Sequence, residues 1–404
     1  MTARDLALAE AAGMAAAAAS LKEALPRSLQ PLFGAVFLRS WDLYDEFVYR
    51  LTLRVFEAAG LEAATREPGS TSEVAARAGL APEPALVPLD WILRQLAARG
   101  VLEPQPGAAG PRWRRHPGPL PALAPDPIRE EQVALDPSWL PAYTLAETVA
   151  RDYVRFLRGE VAGEEVLFSP ARFRLWIDYF SNANGLYAVN NRVGAVALAE
   201  WLPWPEATIL ELGGGLGSAA LAVLEELDAA GRLGALGGYH FTELVPAFLR
   251  RGQQALQARF PALPGLTFAA LDMNRPFAPQ GVAPGSRSVV YAVNTLHVAR
   301  DLAFTLAEIR AALAPGGRLI VSECVRMQPG QALNGEFIFN LMATFRSRPS
   351  DFPGQPPAGF LLPQQWKATL EGAGFTDVRF LPDALTFSDR FPRFHASAIG
   401  ATRP

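Results

Sequence analysis

The chain has 404 residues, long enough for two domains, and its 50% hydrophobic and 19% charged residues exclude an intrinsically disordered protein. A formal net charge of −3 gives no electrostatic reason to expect nucleic acid or an anionic membrane as a partner. The single cysteine, Cys324, cannot form an internal disulfide, and with only four histidines no metal site is predicted. Both features fit a reducing cytoplasm.

Residues 11–19 are rich in alanine and raise the question of a secretory signal. Asp5 and Glu10 stand where such a signal carries positive charge, and Lys22 and Glu23 follow soon after. The segment is therefore predicted to be a helix, exposed or packed on a partner. No run of about 18 strongly apolar residues occurs, so no membrane span is predicted.

The next elements follow a helix–helix–hairpin pattern. Ser70 and Glu73 match a capping box that opens a short helix, and apolar residues at helical spacing predict a second helix over about 84–99. Two predicted strands, 100–103 and 112–115, complete the pattern of a winged helix.

A winged helix has two interpretations in this chain. It can bind DNA through Arg94, Arg99 and the arginines of the wing, or it can be a structural or dimerisation module. The helix face is not basic, which favours the second interpretation. The sequence therefore predicts a homodimer that does not bind nucleic acid.

Composition divides the chain into three parts. Residues 104–127 are rich in Pro and Gly and mark a loop or boundary, whereas aromatic-rich helices are predicted from about 140 to 200. We therefore predict a mainly helical, winged-helix domain of dimerisation type at 1–127, a helical linker and substrate lid at 128–204, and a ligand-binding domain at 205–404.

The third part alternates between strands and helices, which predicts a doubly wound, Rossmann-like α/β sheet. A helix near 363–373 precedes two final strands without a crossover helix between them, so we expect these two to pair antiparallel at the sheet edge. The predicted strands are 208–212, 239–242, 266–271, 288–293, 318–322, 377–381 and 395–400.

A Gly-rich loop at 211–218 follows the first strand of this sheet, where open α/β sheets bind ligands. Ser218 stands where a dinucleotide fingerprint needs Gly or Ala, and no Gly-Lys-Ser/Thr follows to make a P-loop. No basic residue occurs from 206 to 231, which favours a cationic, phosphate-free ligand. Glu211 would neutralise its ammonium or sulfonium group, with Gly213 and Gly215 allowing close approach. The alternative is a simple tight turn.

Further acidic residues end the next strands. Glu243 can accept hydrogen bonds from both ribose hydroxyls, and Asp272 can reach an adenine amino group, with Met273 against the ring. Each acid alone is more often a helix cap. Three acids at successive strand ends favour a nucleoside ligand.

These residues resemble the motifs of class I S-adenosylmethionine-dependent methyltransferases. In that resemblance, 211–217 is the glycine motif, Glu243 is the ribose acid, and 205–404 is the domain that binds S-adenosylmethionine as cofactor. With its helical N-terminal part, the whole chain is similar to small-molecule O-methyltransferases that dimerise through such a module. One departure is the Gly-rich insert at 231–238, which separates Glu211 from Glu243 and leaves the register of the second strand open.

The segment after the fourth strand contains the candidate base. His297 is the only histidine at a strand end beside the expected methyl group, and Glu323, ending the fifth strand, can orient its ring. Asn294, in the same segment, is predicted to contact the cofactor. The alternative is a histidine that caps the following helix.

The residues after His297 bear on the methylated atom. O-methyltransferases usually have Asp-Trp directly after this histidine, whereas here Val298 and Ala299 follow. The segment is similar to the C-methyltransferase domains of polyketide synthases, which also pair the histidine with a glutamate. We expect methyl transfer to a hydroxyl oxygen first, and to an enolisable β-keto carbon as the alternative.

Aromatic residues before the first strand predict an apolar pocket for a small-molecule acceptor, aromatic or polyketide-like. Aromatic residues at helical spacing are more often part of a core. The predicted substrate residues are Trp176, Tyr179, Phe180, Tyr187 and Asn340.

Two other functions compete with methyl transfer. A winged-helix regulator that senses a ligand would show salt-dependent DNA affinity and no turnover. A nicotinamide-dependent enzyme is disfavoured by the glycine spacing and by the lack of a loop suited to phosphate.

Overall fold

A computed structural model describes residues 19–108, 110–202, 205–346, 359–387 and 390–404. The helix predicted over 11–19 lies outside the described residues, apart from its last residue. The chain divides into two compact units, each built from separated segments. We call residues 39–179 and 328–359 the helical unit, and residues 1–38, 180–327 and 360–404 the sheet unit.

These units do not follow the predicted boundaries at 127 and 204. The Pro- and Gly-rich stretch 104–127 lies inside the helical unit, and residues 328–359 return to that unit from the far end of the chain. The indole of Trp91 donates a hydrogen bond to the carbonyl oxygen of Leu333 (2.9 Å), and the ring of Tyr153 stacks on Phe337 at 4.8 Å. Such contacts join segments that are remote in sequence, so composition along the chain does not reveal them.

The helical unit contains the predicted helix–helix–hairpin elements. Ser70 and Glu73 form the capping box, with the Glu73 carboxylate accepting from the Ser70 N–H at 2.8 Å. Strands β1 (Leu102–Gln105) and β2 (Arg112–Arg115) pair antiparallel. The α-helices of this unit, the first of which begins in the sheet unit, are Ala35–Ala58, Leu61–Ala64, Thr71–Arg77, Pro82–Ala98, Asp126–Leu135, Leu140–Leu157, Gly163–Phe168, Phe173–Tyr179, Glu336–Phe339 and Ala343–Arg346.

The sheet unit contains a seven-stranded sheet in the order β5-β4-β3-β6-β7-β9-β8. Strands β3 to β7 are parallel, and β9 runs antiparallel to both β7 and β8. The doubly wound sheet and the antiparallel pair at its edge are thus confirmed. The strands are β3 (Thr208–Leu212), β4 (Gly238–Thr242), β5 (Leu266–Ala269), β6 (Arg287–Val293), β7 (Leu313–Cys324), β8 (Thr376–Leu381) and β9 (Ala396–Thr402).

Helices pack on the sheet because its parallel strands are apolar on both faces. Ile209, Leu210 and Leu212 of β3 and Val290 of β6 are fully buried. The α-helices of this unit are Gly185–Trp201, Ser218–Ala229, Pro246–Arg259, Leu302–Ala312, Pro363–Gly372 and Ala384–Phe387. In the part of the chain that the structure describes, no helix is long and apolar enough to cross a membrane.

The Gly-rich connection between β3 and β4 does not disturb the register. Glu211 lies opposite Phe241, and Thr208 lies opposite Gly238. A Cβ atom at Gly237 would lie 2.2 Å from the carbonyl oxygen of Glu206, so the glycine allows the two backbones to approach. The insert therefore lengthens the loop while β4 keeps its predicted position.

Candidate active site

The candidate site lies at the carboxyl ends of the parallel strands, where the strand order reverses between β3 and β6. Four of the predicted residues follow or end these strands: Glu211 in β3, Glu243 after β4, Asn294 after β6, and Glu323 in β7. All belong to the sheet unit. The topology therefore collects at one edge the side chains that the sequence places far apart.

The glycine loop after β3 depends on backbone conformations that favour glycine. Gly213 has φ +62° and Gly215 has φ +58°, both in the left-handed region. A Cβ atom at Gly213 would lie 2.5 Å from Cγ2 of Thr295, whereas one at Gly215 would meet no described atom within 4 Å. The loop thus packs tightly against the turn after β6 at Gly213 and leaves space beside Gly215.

Glu211 has a buried carboxyl group of which one oxygen accepts a hydrogen bond. Its Oε2 accepts from the Tyr239 hydroxyl at 3.0 Å, and its Oε1 has no hydrogen-bond partner among the described residues. Burial raises the pKa of Glu211 to about 8; the Tyr239 hydrogen bond opposes the shift and nearby Glu243 adds to it. A cationic group of a ligand would both satisfy the free oxygen and favour the carboxylate form.

Glu243 joins the end of β4 to the glycine loop. Its Oε2 accepts from the Gly215 N–H at 2.9 Å, and its Oε1 accepts from the Val245 N–H at 2.7 Å. Burial raises the pKa of Glu243, and hydrogen bonds from the backbone of Val245, Gly215 and Leu244 oppose that effect. The carboxylate is therefore held in one orientation, and each oxygen retains further capacity to accept ligand hydroxyls.

Asp272 and Met273, predicted to contact adenine, lie in the turn after β5. Asp272 Oδ1 accepts from the backbone N–H and the side-chain amide of Asn274, at 2.9 and 3.1 Å. Its Oδ2 lies 3.5 Å from Nε of Arg275. The side chain of Met273 packs against the core of the unit. Asp272 thus stabilises this turn and does not have the helix-cap role that was its alternative, and its contact with a ligand remains a prediction.

His297 and Glu323 form a buried hydrogen-bonded pair. Nδ1 of His297 lies 2.7 Å from Oε2 of Glu323, and the two residues are 8% and 0% exposed. The histidine belongs to a short 3-10 helix, Leu296–Val298, directly after β6, rather than to a cap of the following helix, whose N-cap is Asp301. With Nδ1–H donating to the carboxylate, Nε2 carries the lone pair and can accept a proton.

The other oxygen of Glu323 fixes the turn that carries the histidine. Oε1 accepts from the backbone N–H groups of Thr295 and Leu296, at 3.1 and 2.9 Å. One carboxylate therefore orients both the ring of His297 and the backbone leading to it. Phe360 packs its ring against the imidazole at a centroid distance of 4.9 Å.

The structure adds residues that the sequence did not single out for this site. Asn190, from the Gly185–Trp201 helix, donates to Oδ1 of Asn294 at 2.8 Å and to Sγ of Cys324 at 3.3 Å. Tyr239 contacts Glu211 from the neighbouring strand. These contacts join residues that are 28 to 134 positions apart, so no local sequence pattern predicts them.

The predicted substrate residues divide between the two units. Phe180 and Tyr187 belong to the sheet unit and pack ring against ring at 5.1 Å. Burial raises the pKa of Tyr187, and Glu211, Glu243, Cys324 and Glu323 raise it further, so this hydroxyl lies near the acids of the site.

Trp176, Tyr179 and Asn340 belong to the helical unit. The Trp176 indole donates to the Leu167 carbonyl oxygen at 2.6 Å, and its ring packs against Tyr179. Asn340 is 2% exposed, and its carbonyl oxygen accepts from Arg346. These surroundings match the core role that aromatic residues at helical spacing often have, and the substrate role of these three residues remains a prediction.

Residues 210–319, which run from β3 into β7, match the family model described as a methyltransferase domain. This segment is a methyltransferase domain. The match begins at the strand that carries the glycine loop and includes Glu243 and His297.

Relatives of the methyltransferase domain occur within much larger proteins. Fumosorinone synthetase from Cordyceps fumosorosea is 32% identical over 171 residues, which cover 42% of this chain and 4% of that protein. The highly reducing polyketide synthase valA from Aspergillus terreus is 29% identical over 240 residues, or 58% of this chain and 9% of that protein. The chain thus spans less than a tenth of the length of these relatives.

Solved structures share the fold over almost the whole chain. The CurJ carbon methyltransferase superposes with a TM-score of 0.72 at 21% identity, covering 96% of this chain and 99% of that one. The trans-methyltransferase CalH, solved with S-adenosylhomocysteine, has a TM-score of 0.55 at 20% identity and covers 91% of this chain and 90% of that one. The family match thus covers residues 210–319, and the likeness to these solved structures concerns the fold of the chain.

Proposed function

We propose that this chain transfers the methyl group of S-adenosylmethionine to the enolisable carbon of a β-keto acyl compound of the polyketide type. The observation that carries the proposal is the buried pair of His297 and Glu323 at the carboxyl ends of β6 and β7. A base whose tautomer is fixed by a carboxylate suits removal of a carbon-bound proton near neutral pH.

The relatives support carbon rather than oxygen as the methylated atom. The likeness of the chain to small-molecule O-methyltransferases favours a hydroxyl oxygen when the sequence is taken alone. The relatives that match in sequence include polyketide synthases, and a solved structure that covers 96% of the chain is a carbon methyltransferase. We therefore place carbon first and keep the hydroxyl oxygen as the alternative outcome of the test.

The residues at the glycine loop fit the cofactor. S-adenosylmethionine carries an ammonium, a sulfonium and a ribose, and its electrophilic methyl group supplies the carbon that is transferred. The free Oε1 of Glu211 can accept from the ammonium, and Glu243 can accept from the ribose hydroxyls. The open space at Gly215 allows the ligand to approach the backbone. Asp272 and Met273 would border the adenine.

The mechanism follows from the geometry around His297. Nε2 takes the acidic proton between the two carbonyl groups of the acceptor, and the C–H electron pair passes into an enolate. Glu323 stabilises the imidazolium that forms, because its Oε2 already accepts from Nδ1 at 2.7 Å. The enolate carbon would then form a bond to the methyl carbon that S-adenosylmethionine supplies, while the electron pair of the broken C–S bond would remain on sulfur.

The test uses S-adenosylmethionine labelled with carbon-13 in the methyl group, offered together with an acetoacetyl thioester and a phenol. We expect the label on the carbon between the two carbonyl groups, as read from its carbon chemical shift, and no transfer by His297→Gln. Label on the phenol oxygen would support O-methylation instead. Absence of transfer to both acceptors, with S-adenosylhomocysteine still bound, would contradict the proposed acceptor class.

We also propose that the helical unit has a structural or dimerisation role and that the chain forms a homodimer in a reducing, cytoplasmic setting. The helix–helix–hairpin elements at Thr71–Arg77, Pro82–Ala98 and β1–β2 support this role. Light scattering at working concentration tests the proposed homodimer, and a monomeric mass would contradict it.

A further inference from the structure

The orientation of the Asn294 side-chain amide is fixed by its neighbours. The backbone N–H of Cys324 donates to Oδ1 of Asn294 at 3.1 Å, and in a side-chain amide only the oxygen can accept a hydrogen bond. Asn190 donates a second hydrogen bond to the same oxygen at 2.8 Å. Exchanging the oxygen and nitrogen of the amide would turn both contacts into encounters of two donors, so this orientation is required.

The fixed orientation leaves the amino group of Asn294 available. Both side-chain hydrogen bonds of Asn294 to the described residues are accepted by Oδ1, so Nδ2 donates to none of them, and the residue is only partly buried. Its backbone is in the left-handed region with φ +48°, and its N–H donates to the carbonyl oxygen of Ser322 at 2.8 Å. The backbone hydrogen bond and the two hydrogen bonds that Oδ1 accepts therefore hold the side chain in place. The two N–H groups of Nδ2 remain as donors in a fixed position.

Asn294 lies in the same turn after β6 as His297, the proposed base. Asn294 precedes His297 by three residues, and the turn between them is held by Glu323 through Thr295 and Leu296. Asn294 is hydrogen-bonded to Cys324, and His297 is hydrogen-bonded to Glu323. These two partners are consecutive residues at the end of β7. When His297 removes a carbon-bound proton, negative charge develops on the acceptor's carbonyl oxygen close to this turn.

We propose that Asn294 is a catalytic residue that donates hydrogen bonds from Nδ2 to the enolate oxygen of the acceptor. This inference rests on the proposed carbon methylation. As the C–H bond breaks, the proton passes to Nε2 of His297 and the electron pair moves through the carbonyl group to oxygen, where Nδ2–H stabilises the charge. Donors held in place before the reaction stabilise developing charge because they need no reorganisation.

This role differs from the cofactor contact that the sequence predicted for Asn294. A residue that binds the cofactor affects S-adenosylhomocysteine affinity, whereas an enolate donor affects proton removal from the acceptor. The two roles can be separated because proton removal is measurable without a methyl donor. With S-adenosylhomocysteine bound, the acceptor's proton exchanges with D₂O at the rate at which the enzyme forms the enolate.

The experiment measures that exchange by proton NMR on a 2-methyl-3-oxo thioester, beside calorimetric titration of S-adenosylhomocysteine. Asn294→Asp keeps the size and the two accepted hydrogen bonds but replaces the donors by an anionic oxygen. Asn294→Gly removes the side chain at a backbone conformation that glycine adopts freely. We expect both variants to slow exchange by about 100-fold or more, as for loss of an oxyanion donor, while S-adenosylhomocysteine affinity is unchanged.

Two results would overturn the inference alone. One is exchange at the wild-type rate in both variants while the wild type methylates carbon. The other is a loss of S-adenosylhomocysteine affinity as large as the loss of exchange rate, which would mean that Asn294 binds the cofactor. If the wild type shows no exchange and places the methyl group on oxygen, carbon methylation itself is wrong, and the inference falls with it.

Discussion

Glu323 shows how one buried residue can organise a reactive centre. Its carboxylate accepts three hydrogen bonds, two from the turn and one from His297, and it is fully buried. Burying a charge is costly unless it is well paired, and these three donors offset that cost. The same contacts fix which nitrogen of His297 holds the lone pair, so stability and chemistry depend on one side chain.

Glu323→Gln should abolish most activity while the fold persists. The Gln oxygen can still accept from Thr295 and Leu296, but the amino group would then face Nδ1 of His297 and favour the tautomer with Nε2 protonated. We expect kcat to fall by up to roughly 10⁴-fold, the loss that replacing the orienting carboxylate of a catalytic triad by an amide causes. Nitrogen-15 NMR of His297 would report the tautomer directly.

The control for this change is S-adenosylhomocysteine affinity, which should match the wild type. An enzyme that retains near-full turnover with Gln at 323 would show that the orientation of the ring does not limit the reaction.

Glu211 links the stability of the ligand-free protein to pH. Burial raises its pKa to about 8 in the folded protein, from an ordinary value of 4.5 for a glutamate side chain. The folded state therefore holds the proton more tightly, and the stability from this group is fully present below about pH 4.5 and lost as pH rises through about 8. Glu211→Gln, which cannot ionise, should have the same stability as the wild type at about pH 4 and be more stable at about pH 9, by at most about 5 kcal/mol.

Ligand binding should depend on pH in the opposite way, because affinity should increase with pH whereas the stability from Glu211 decreases. A carboxylate at Glu211 is needed to accept from an ammonium, so wild-type affinity for S-adenosylhomocysteine should increase from pH 6 to pH 8. Glu211→Gln should bind more weakly and with little pH dependence. Thermal unfolding and calorimetry at matched pH values check both statements; equal pH profiles for the two proteins would show that this carboxyl group does not face the ligand.

At the scale of elements, the glycine loop and the turn after β6 act as one packed structure. A Cβ atom at Gly213 would meet Thr295 at 2.5 Å, and the left-handed backbone there costs a non-glycine residue roughly 1–2 kcal/mol. Gly213→Ala should therefore displace both the loop and the turn, lowering the melting temperature and weakening S-adenosylhomocysteine binding by at least about tenfold.

Gly234→Ala is the matched control for this substitution. Its added Cβ would meet no described atom within 4 Å, and the residue lies in the β3–β4 connection away from the loop. We expect its melting temperature and its affinity to equal those of the wild type. If Gly213→Ala behaves like this control, the loop and the turn are not coupled.

The elements themselves were largely predictable because their signals are local. β3 begins and ends at the predicted residues, and the capping box at Ser70 forms as expected. The pairing of His297 with Glu323 was also predictable, since adjacent parallel strands end at the same edge. Asn190 was not among the predicted site residues, because its contact with Asn294 spans 104 positions and depends on how a helix packs on the sheet.

At the scale of the whole molecule, the division into units was the least predictable feature. The sheet unit is interrupted by residues 39–179 and again by 328–359, so neither unit is continuous in sequence. Trp91 and Leu333, which meet inside the helical unit, are separated by 242 positions. A boundary predicted from Pro and Gly content assumes that domains follow one another along the chain, and that assumption fails here.

The charges of the helical unit oppose the DNA-binding alternative. Arg94 and Arg99, the arginines proposed to contact DNA, lie 2.6 Å from Asp90 and Asp45. Two arginines of the β2 strand are also paired: Arg112 with Glu73 and Arg115 with Glu62. A phosphate would have to displace a carboxylate in each case, so little favourable charge remains for nucleic acid.

We therefore expect no shift of duplex DNA at about 10 µM protein and physiological salt, where non-specific DNA-binding proteins have dissociation constants of roughly 10⁻⁴–10⁻⁶ M. Lowering the salt concentration separates the possibilities. A binding constant that falls steeply with salt would mean that several phosphates are neutralised, and the arginine pairs would then have to open. A flat or absent response means that the pairs persist in solution and that the helical unit carries no electrostatic surface for DNA.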